Sequence, residues 1–168
     1  LGTESGWRAI NCLYSDLTFS EVTDVNVWGG NLTASVDMID LYNEEPTDTF
    51  RLRATFFTPG RHYSYIKQAE GGYTYNHNWM QCKKGVLGTK ADAGGHLAQM
   101  ASPLNTYIQR LADVYLMKAE AILGNQDVCK DQDGLNALNA VRVRAGLTPR
   151  TSFTFQQLID ERRKEFCM

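Results

Sequence analysis

Along residues 105 to 168 apolar side chains return every three to four positions, whereas upstream the clearest apolar pattern is alternation over short stretches. The first period is that of a helix with one buried face; the second is that of a strand. The downstream pattern predicts three helices. The first spans Asn105 to Leu123, with Ser102 and Pro103 as its start signal and Gly124 and Asn125 as its stop. At about 100° per residue, Thr106, Asp113 and Glu120 fall on one line flanked by Gln109 and Arg110. The rest of that helix is so widely apolar that it should have neighbours on more than one side, and Lys118, inside the apolar arc, must snorkel or find a partner.

The second helix should begin near Asp133 and present Leu135, Leu138, Val141 and Ala145 on one face. Arg142 and Arg144 suit the negative end of its dipole, and Gly146, Leu147 and Pro149 should end it. The third helix carries a capping box in Thr154 and Gln157, with Phe153 and Leu158 placed as a hydrophobic staple. Its stripe of Phe155, Leu158, Ile159, Arg162 and Phe166 meets no stop signal, as expected for a fragment of a longer protein. Upstream, Ser35 should start a two-turn helix over 35 to 43, and 51 to 57 alternates as a strand ended by Thr58, Pro59 and Gly60. Residues 62 to 79 form a hairpin candidate turning at Glu70, Gly71 and Gly72, and 85 to 95 read as a loop.

The expected fold is therefore mainly α: tetratricopeptide-like helix pairs in the C-terminal half, and a loop-rich N-terminal half containing a short β-hairpin. The division falls near Pro103, with 1 to 103 loop-rich and aromatic-rich and 104 to 168 helical. The 168 residues are 43% hydrophobic and 21% charged, the composition of a globular chain. A net charge of −2 and the lack of a basic block argue against nucleic-acid binding. No apolar run approaches the roughly 20 residues that span a bilayer. Cys12, Cys82, Cys129 and Cys167 are too widely spaced for a metal-type pair, and buried thiols are the simpler expectation.

Candidate chemistry is sparse. GVLGTK has two residues between its glycines where a phosphate loop has four, and Ala91 follows its Lys90. His62, His77, Cys82 and His96, separated by 15, 5 and 14 residues, match no common zinc spacing. No nucleophile, base and orienting group can be assembled from spacing. The expectation is a protein without catalytic residues, metal or cofactor.

Aromatic side chains remain. A flat ring on a loop can stack on the apolar face of a sugar, and Trp7, Trp28, Tyr42 and Trp79 are the ligand candidates; packing is the competing use of each ring. Trp28 stands out because it lies in VWGGN, a sequence suited to a loop. Arg110, Asp113, Glu120, Arg162, Arg163 and Glu165 read as structural ion pairs, with Arg110 or Asp113 expected to hold the third helix against the first pair.

Three ordered runs, YIQRLADVYLMKAEAILG, GLNALNAVRVRAGL and LIDERRKEF, resemble the SusD/RagB-like family of outer-membrane nutrient-binding lipoproteins. Arg110, Ala112, Asp113, Val114, Leu116, Met117, Ala119, Glu120 and Ala121 match the family's R-x-A-D-V-x-L-M-x-A-E-A helix. Val141, Arg142, Arg144, Ala145 and Gly146 match its V-R-x-R-A-G run, and Glu161, Arg162, Arg163, Glu165 and Phe166 its E-R-R-x-E-L/F helix. The resemblance implies a middle-to-late portion of a longer protein at the cell-surface face of the outer membrane, held there by a lipid anchor absent from this chain. It also implies a glycan or peptide nutrient as ligand and a SusC-like TonB-dependent transporter as partner. The alternative is a tetratricopeptide-like interaction scaffold with a protein partner and no small ligand.

Overall fold

The computed structural model describes residues 20–25, 32–98, 102–104 and 107–168. Among them the chain forms α1 (Val36–Asn43), α2 (Thr49–Thr55), β1 (Phe56–Phe57), β2 (His62–Tyr63), β3 (Tyr73–Thr74), β4 (Gln81–Cys82), α3 (Leu111–Leu123), α4 (Gln132–Arg144) and α5 (Phe155–Phe166). The fold is mainly α, with short antiparallel strands confined to the loop-rich part. It divides into two compact units, one of 1–35 and 53–107 and the other of 36–52 and 108–168. The boundary near Pro103 thus needs a correction: residues 36–52 belong with the C-terminal helices. Charge pairing between residues about a hundred positions apart, described below, accounts for their membership.

In the helical unit, α3 and α4 form a hairpin of helices and α5 packs on it. Leu116, Ala119, Leu123, Leu135, Leu138, Val141, Phe153 and Leu158 make its core. Gly134 permits the close approach of α3 and α4, because a Cβ there would lie 2.9 Å from Cys129 Sγ and 3.1 Å from Ile122 Cγ2. Asp131 caps α4, accepting from the backbone N–H groups of Asp133 and Gly134, so the helix starts slightly ahead of its expected Asp133. It ends as expected, with Gly146 at φ +79°. Thr154 and Gln157 form the full capping box of α5, and Phe153 and Leu158 are both buried beside it.

Two expectations fail here. Residues 107–110 are not helical, and α3 starts only at Leu111; Asn105 and Thr106 lie outside the described residues. Arg110, the residue before the helix, offers no side-chain cap. Its guanidinium instead donates to the Glu165 carbonyl at 2.7 Å and lies over the Phe166 ring. Among the described residues the apolar arc of α3 is buried along one stripe, Leu116, Ala119 and Leu123, against α4 and α5: Leu111 is 66% exposed, and Val114 and Met117 are also exposed, as is Lys118. Neighbours for the outer side do not occur among the described residues.

The second correction concerns residues 51 to 57, expected as one strand. The chain is helical to Thr55, and only Phe56 and Phe57 are extended. Arg51 reaches back to Asp48 by an i, i+3 ion pair, a spacing that suits a helical turn and not a strand.

In the loop-rich unit β1 pairs antiparallel with β4, Phe56 opposite Cys82 and Phe57 opposite Gln81. The hairpin expected over 62 to 79 is present in shorter form, with His62 opposite Thr74 and Tyr63 opposite Tyr73. Its connection holds a 3₁₀ turn, Gln68–Glu70, before Gly71 and Gly72. Val22, Phe57, Tyr63, Ile66, Tyr75 and Val86 form the core. Phe57 stacks on Tyr75 at 5.5 Å between ring centroids and meets Tyr63 edge-on at 5.0 Å. The loop over 85–95 is closed by Asp92, whose carboxylate accepts from the backbone N–H groups of Lys67, Gln68 and Thr89. The Lys90 N–H donates to Asp24, so this glycine-rich loop spends these donors internally.

An ion network fills the interior of the helical unit. Glu161 is 2% exposed; its Oε1 accepts from Arg51 Nη1 at 2.6 Å and its Oε2 from Arg142 Nη1 at 2.8 Å. Arg142 also donates to Glu45, which in turn receives Lys164 Nζ at 2.8 Å. Arg142, which helix-dipole reasoning places as a cation suited to the end of α4, is buried at the centre of this network. Burial alone would push the Glu45 carboxyl up, but the hydrogen bonds and charges of Arg142 and Lys164 prevail and hold it at about 2.

A carboxylate whose folded pKa is depressed stabilises above its unfolded pKa and loses that contribution as pH falls through the folded value. Glu45→Gln should therefore melt below wild type at pH 7, with the gap closing between about pH 4.5 and about pH 2. Thermal melts across that range check it; a gap independent of pH would contradict the assignment.

Candidate functional site

Alternation in YTYNHNW carries Tyr73, Tyr75, His77 and Trp79 to one side of an extended segment. The structure realises this as a ladder of rings: Tyr75 to His77 at 5.0 Å and His77 to Trp79 at 4.9 Å, both tilted. The rings pass from core to surface, Tyr75 being fully buried and Trp79 50% exposed. The segment is fastened by the Tyr75 hydroxyl, which donates to the Trp79 carbonyl at 2.7 Å. Glu21 fastens it again, with Oε2 accepting from the Tyr73 hydroxyl at 2.9 Å and lying 3.1 Å from His77 Nε2. Burial, then the bond to Glu21, push the Tyr73 hydroxyl well above the ordinary tyrosine range, so it stays a proton donor at neutral pH. An exposed indole on a backbone pinned from two sides is a preorganised flat surface.

The other ligand candidates stand differently. Tyr42 is buried in the helical unit, where its hydroxyl donates to the Lys164 carbonyl at 3.2 Å; its ring is packed there and not presented to a ligand. Trp7 and Trp28 lie outside the described residues.

Of the charged residues, Arg110 Nη1 lies 3.3 Å from Glu165 Oε1, and Arg162 Nη2 donates to Asp113 at 2.7 Å. Both pairs link α5 to α3 or the residue preceding it. Arg163 pairs with Asp37 and Asp160, and Glu165 also pairs with Arg144. Glu120 is exposed and forms no ion pair with a described residue. Sequence reasoning missed Arg51, Asp48, Glu45 and Glu161. A signal was present for Glu161: Leu158, Glu161 and Glu165 sit at i, i+3 and i+7, so a carboxylate stands in the buried stripe of α5. Glu21 gave no such signal, because 56 residues separate it from His77.

Fold and site define two parts, each by itself: a unit of paired helices, and a loop-rich unit whose short extended segment exposes an aromatic ring. The chain belongs to the SusD family, whose model matches residues 18–168. It is 50% identical over 165 residues to a SusD-like protein of Bacteroides ovatus, covering 96% of this chain and 30% of that protein. Among solved structures, one determined with a xylogluco-oligosaccharide is 50% identical, with a TM-score of 0.85 over 92% of this chain and 32% of the other. A laminarin-binding SusD-like protein is 25% identical, with a TM-score of 0.56 over 89% of this chain and 30% of the other. The chain spans about 30% of the length of the curated relative it matches.

Proposed function

We propose that this protein is the glycan-binding component of an outer-membrane nutrient uptake system, displayed at the cell surface and passing oligosaccharides to a SusC-like TonB-dependent transporter. Its part is to hold the glycan, not to cleave it. The observation that carries this reading is the similarity to the structure solved with a xylogluco-oligosaccharide. The exposed Trp79 ring supports it from this chain's own chemistry, since an indole face can cover the C–H face of a pyranose. Trp7 and Trp28 are further proposed contacts.

Affinity electrophoresis of the full-length protein through gels containing xyloglucan or laminarin tests the proposal. Retardation by at least one polysaccharide is expected, and unimpeded migration through both would refute it. Trp79→Ala should weaken binding by about 1–2 kcal/mol, roughly 5- to 30-fold in Kd, the cost of losing one aromatic platform. Calorimetric titration of both proteins with a xylogluco-oligosaccharide measures this, and an unchanged Kd would remove Trp79 from the site.

A further inference from the structure

On the loop-rich unit, Tyr65 is 45% exposed and stands at an edge-on angle to the buried Tyr63, 6.2 Å between centroids. Lys83 Nζ donates to the Tyr65 hydroxyl at 2.7 Å and lies 5.3 Å from the centre of that ring. Lys83 also lies 5.8 Å from the Tyr63 ring, and the Arg61 guanidinium 5.9 Å from it. The lysine is held in place by its own backbone, whose N–H donates to the Thr55 carbonyl at 2.8 Å.

The charge balance here is unusual. Glu21 is engaged with Tyr73 and His77, Asp24 with the Lys90 N–H, Glu70 with Lys67, and Asp92 with three backbone N–H groups. Neither Arg61 nor Lys83 has a carboxylate partner among the described residues, although the two cations share one aromatic wall. Lys83, half-buried beside these rings, carries its charge at a desolvation cost that a bound anion would offset.

We propose that this face is a subsite for an acidic sugar, a pyranuronate whose ring stacks on Tyr65 while its carboxylate pairs with Lys83 and Arg61. The proposal rests on the glycan-binding reading and adds a ligand class to it. A uronate carries its carboxylate at the rim of the pyranose ring, so stacking on Tyr65 delivers the charge to the hydroxyl edge where Nζ sits. The groups facing Lys83 are Tyr63, Tyr65, Arg61 and Cys82; burial first, with Arg61 adding to it against Cys82, holds the ammonium down at about 8. Acid-sugar binding should accordingly be full below pH 8 and weaken as pH rises through it.

The test is calorimetric titration of the full-length protein with a glucuronate-substituted xylo-oligosaccharide and with the same oligosaccharide after reduction of its carboxyl group. The acidic probe should bind about tenfold more tightly, the worth of one charge-assisted contact. Lys83→Met should bring that ratio close to one, and Arg61→Gln, at an exposed residue that bears less on folding, should reduce it in part. Equal affinity for both probes, or a ratio that neither variant alters, overturns the subsite while leaving the glycan reading intact. Binding of neither probe, together with failure to bind xyloglucan or laminarin, refutes both.

Discussion

Glu161→Ala should destabilise the protein by about 3–5 kcal/mol, the cost of stranding buried charges when one partner is removed. Each Glu161 oxygen receives a different guanidinium, Arg51 on one side and Arg142 on the other. The substitution leaves Arg51 with Asp48 and Arg142 with Glu45, but takes the shared anion from between two buried cations. Two segments distant in sequence, 45–51 and α5, then lose the charge that unites them. Urea denaturation followed by circular dichroism measures the effect. Arg144→Ala is the control: that side chain is 55% exposed and pairs with Glu165, so its loss should cost at most about 1 kcal/mol. Equal losses in the two variants would show that the Glu161 network does not bind the helical unit together.

Leu138→Ala should cost about 2–5 kcal/mol, the transfer free energy of the removed methyl groups plus that of the cavity they leave. Leu138 is fully buried in the core that α3, α4 and α5 share. Its surroundings are close-packed: at Gly134, one turn earlier on α4, an added Cβ would lie 2.9 Å from Cys129 Sγ and 3.1 Å from Ile122 of α3. Leu111→Ala removes the same atoms from a side chain that is 66% exposed and should change stability by no more than about 0.5 kcal/mol in this chain. The same denaturation experiment reads both. If Leu111→Ala were as costly as Leu138→Ala, the one-sided burial of α3 described above would be wrong.

The comparison between those two leucines shows where the sequence pattern reached its limit. Leu111 opens α3 and Leu138 lies within α4, and each belongs to an apolar stripe whose period foretold a helix with packed neighbours. Which part of a stripe meets a neighbour depends on segments elsewhere in the chain: Leu138 faces the shared core, whereas Leu111 stands outside the stripe of α3 that α4 and α5 cover. The strand expected over 51 to 57 failed for a related reason. Alternation of Leu52, Ala54 and Phe56 is a local signal, whereas the helical conformation of Arg51 accompanies its pairing with Asp48 and with Glu161, 110 residues away.

The aromatic surface was partly legible. Trp79 is one of four aromatic candidates that the sequence offers, and the structure leaves its ring half exposed. Tyr42 looked equally available in sequence yet is packed inside the helical unit. Glu21, which fastens His77, and Lys83, which borders Tyr65, carry no motif; both matter only through neighbours brought together by folding.

By itself the sequence determined what is local. It specified the three C-terminal helices, the capping box at Thr154, the stop at Gly146, the hairpin after His62, and the three ordered runs that mark the SusD family. The helical features rest on i to i+3 and i to i+4 relations and the hairpin on period-two alternation with a glycine turn, all of which sequence spacing encodes directly. The tertiary structure alone decided which charges are buried and which aromatic rings face solvent. Burial of Glu161 is tolerable only because Arg51 and Arg142 meet it there, and no spacing along the chain records that meeting.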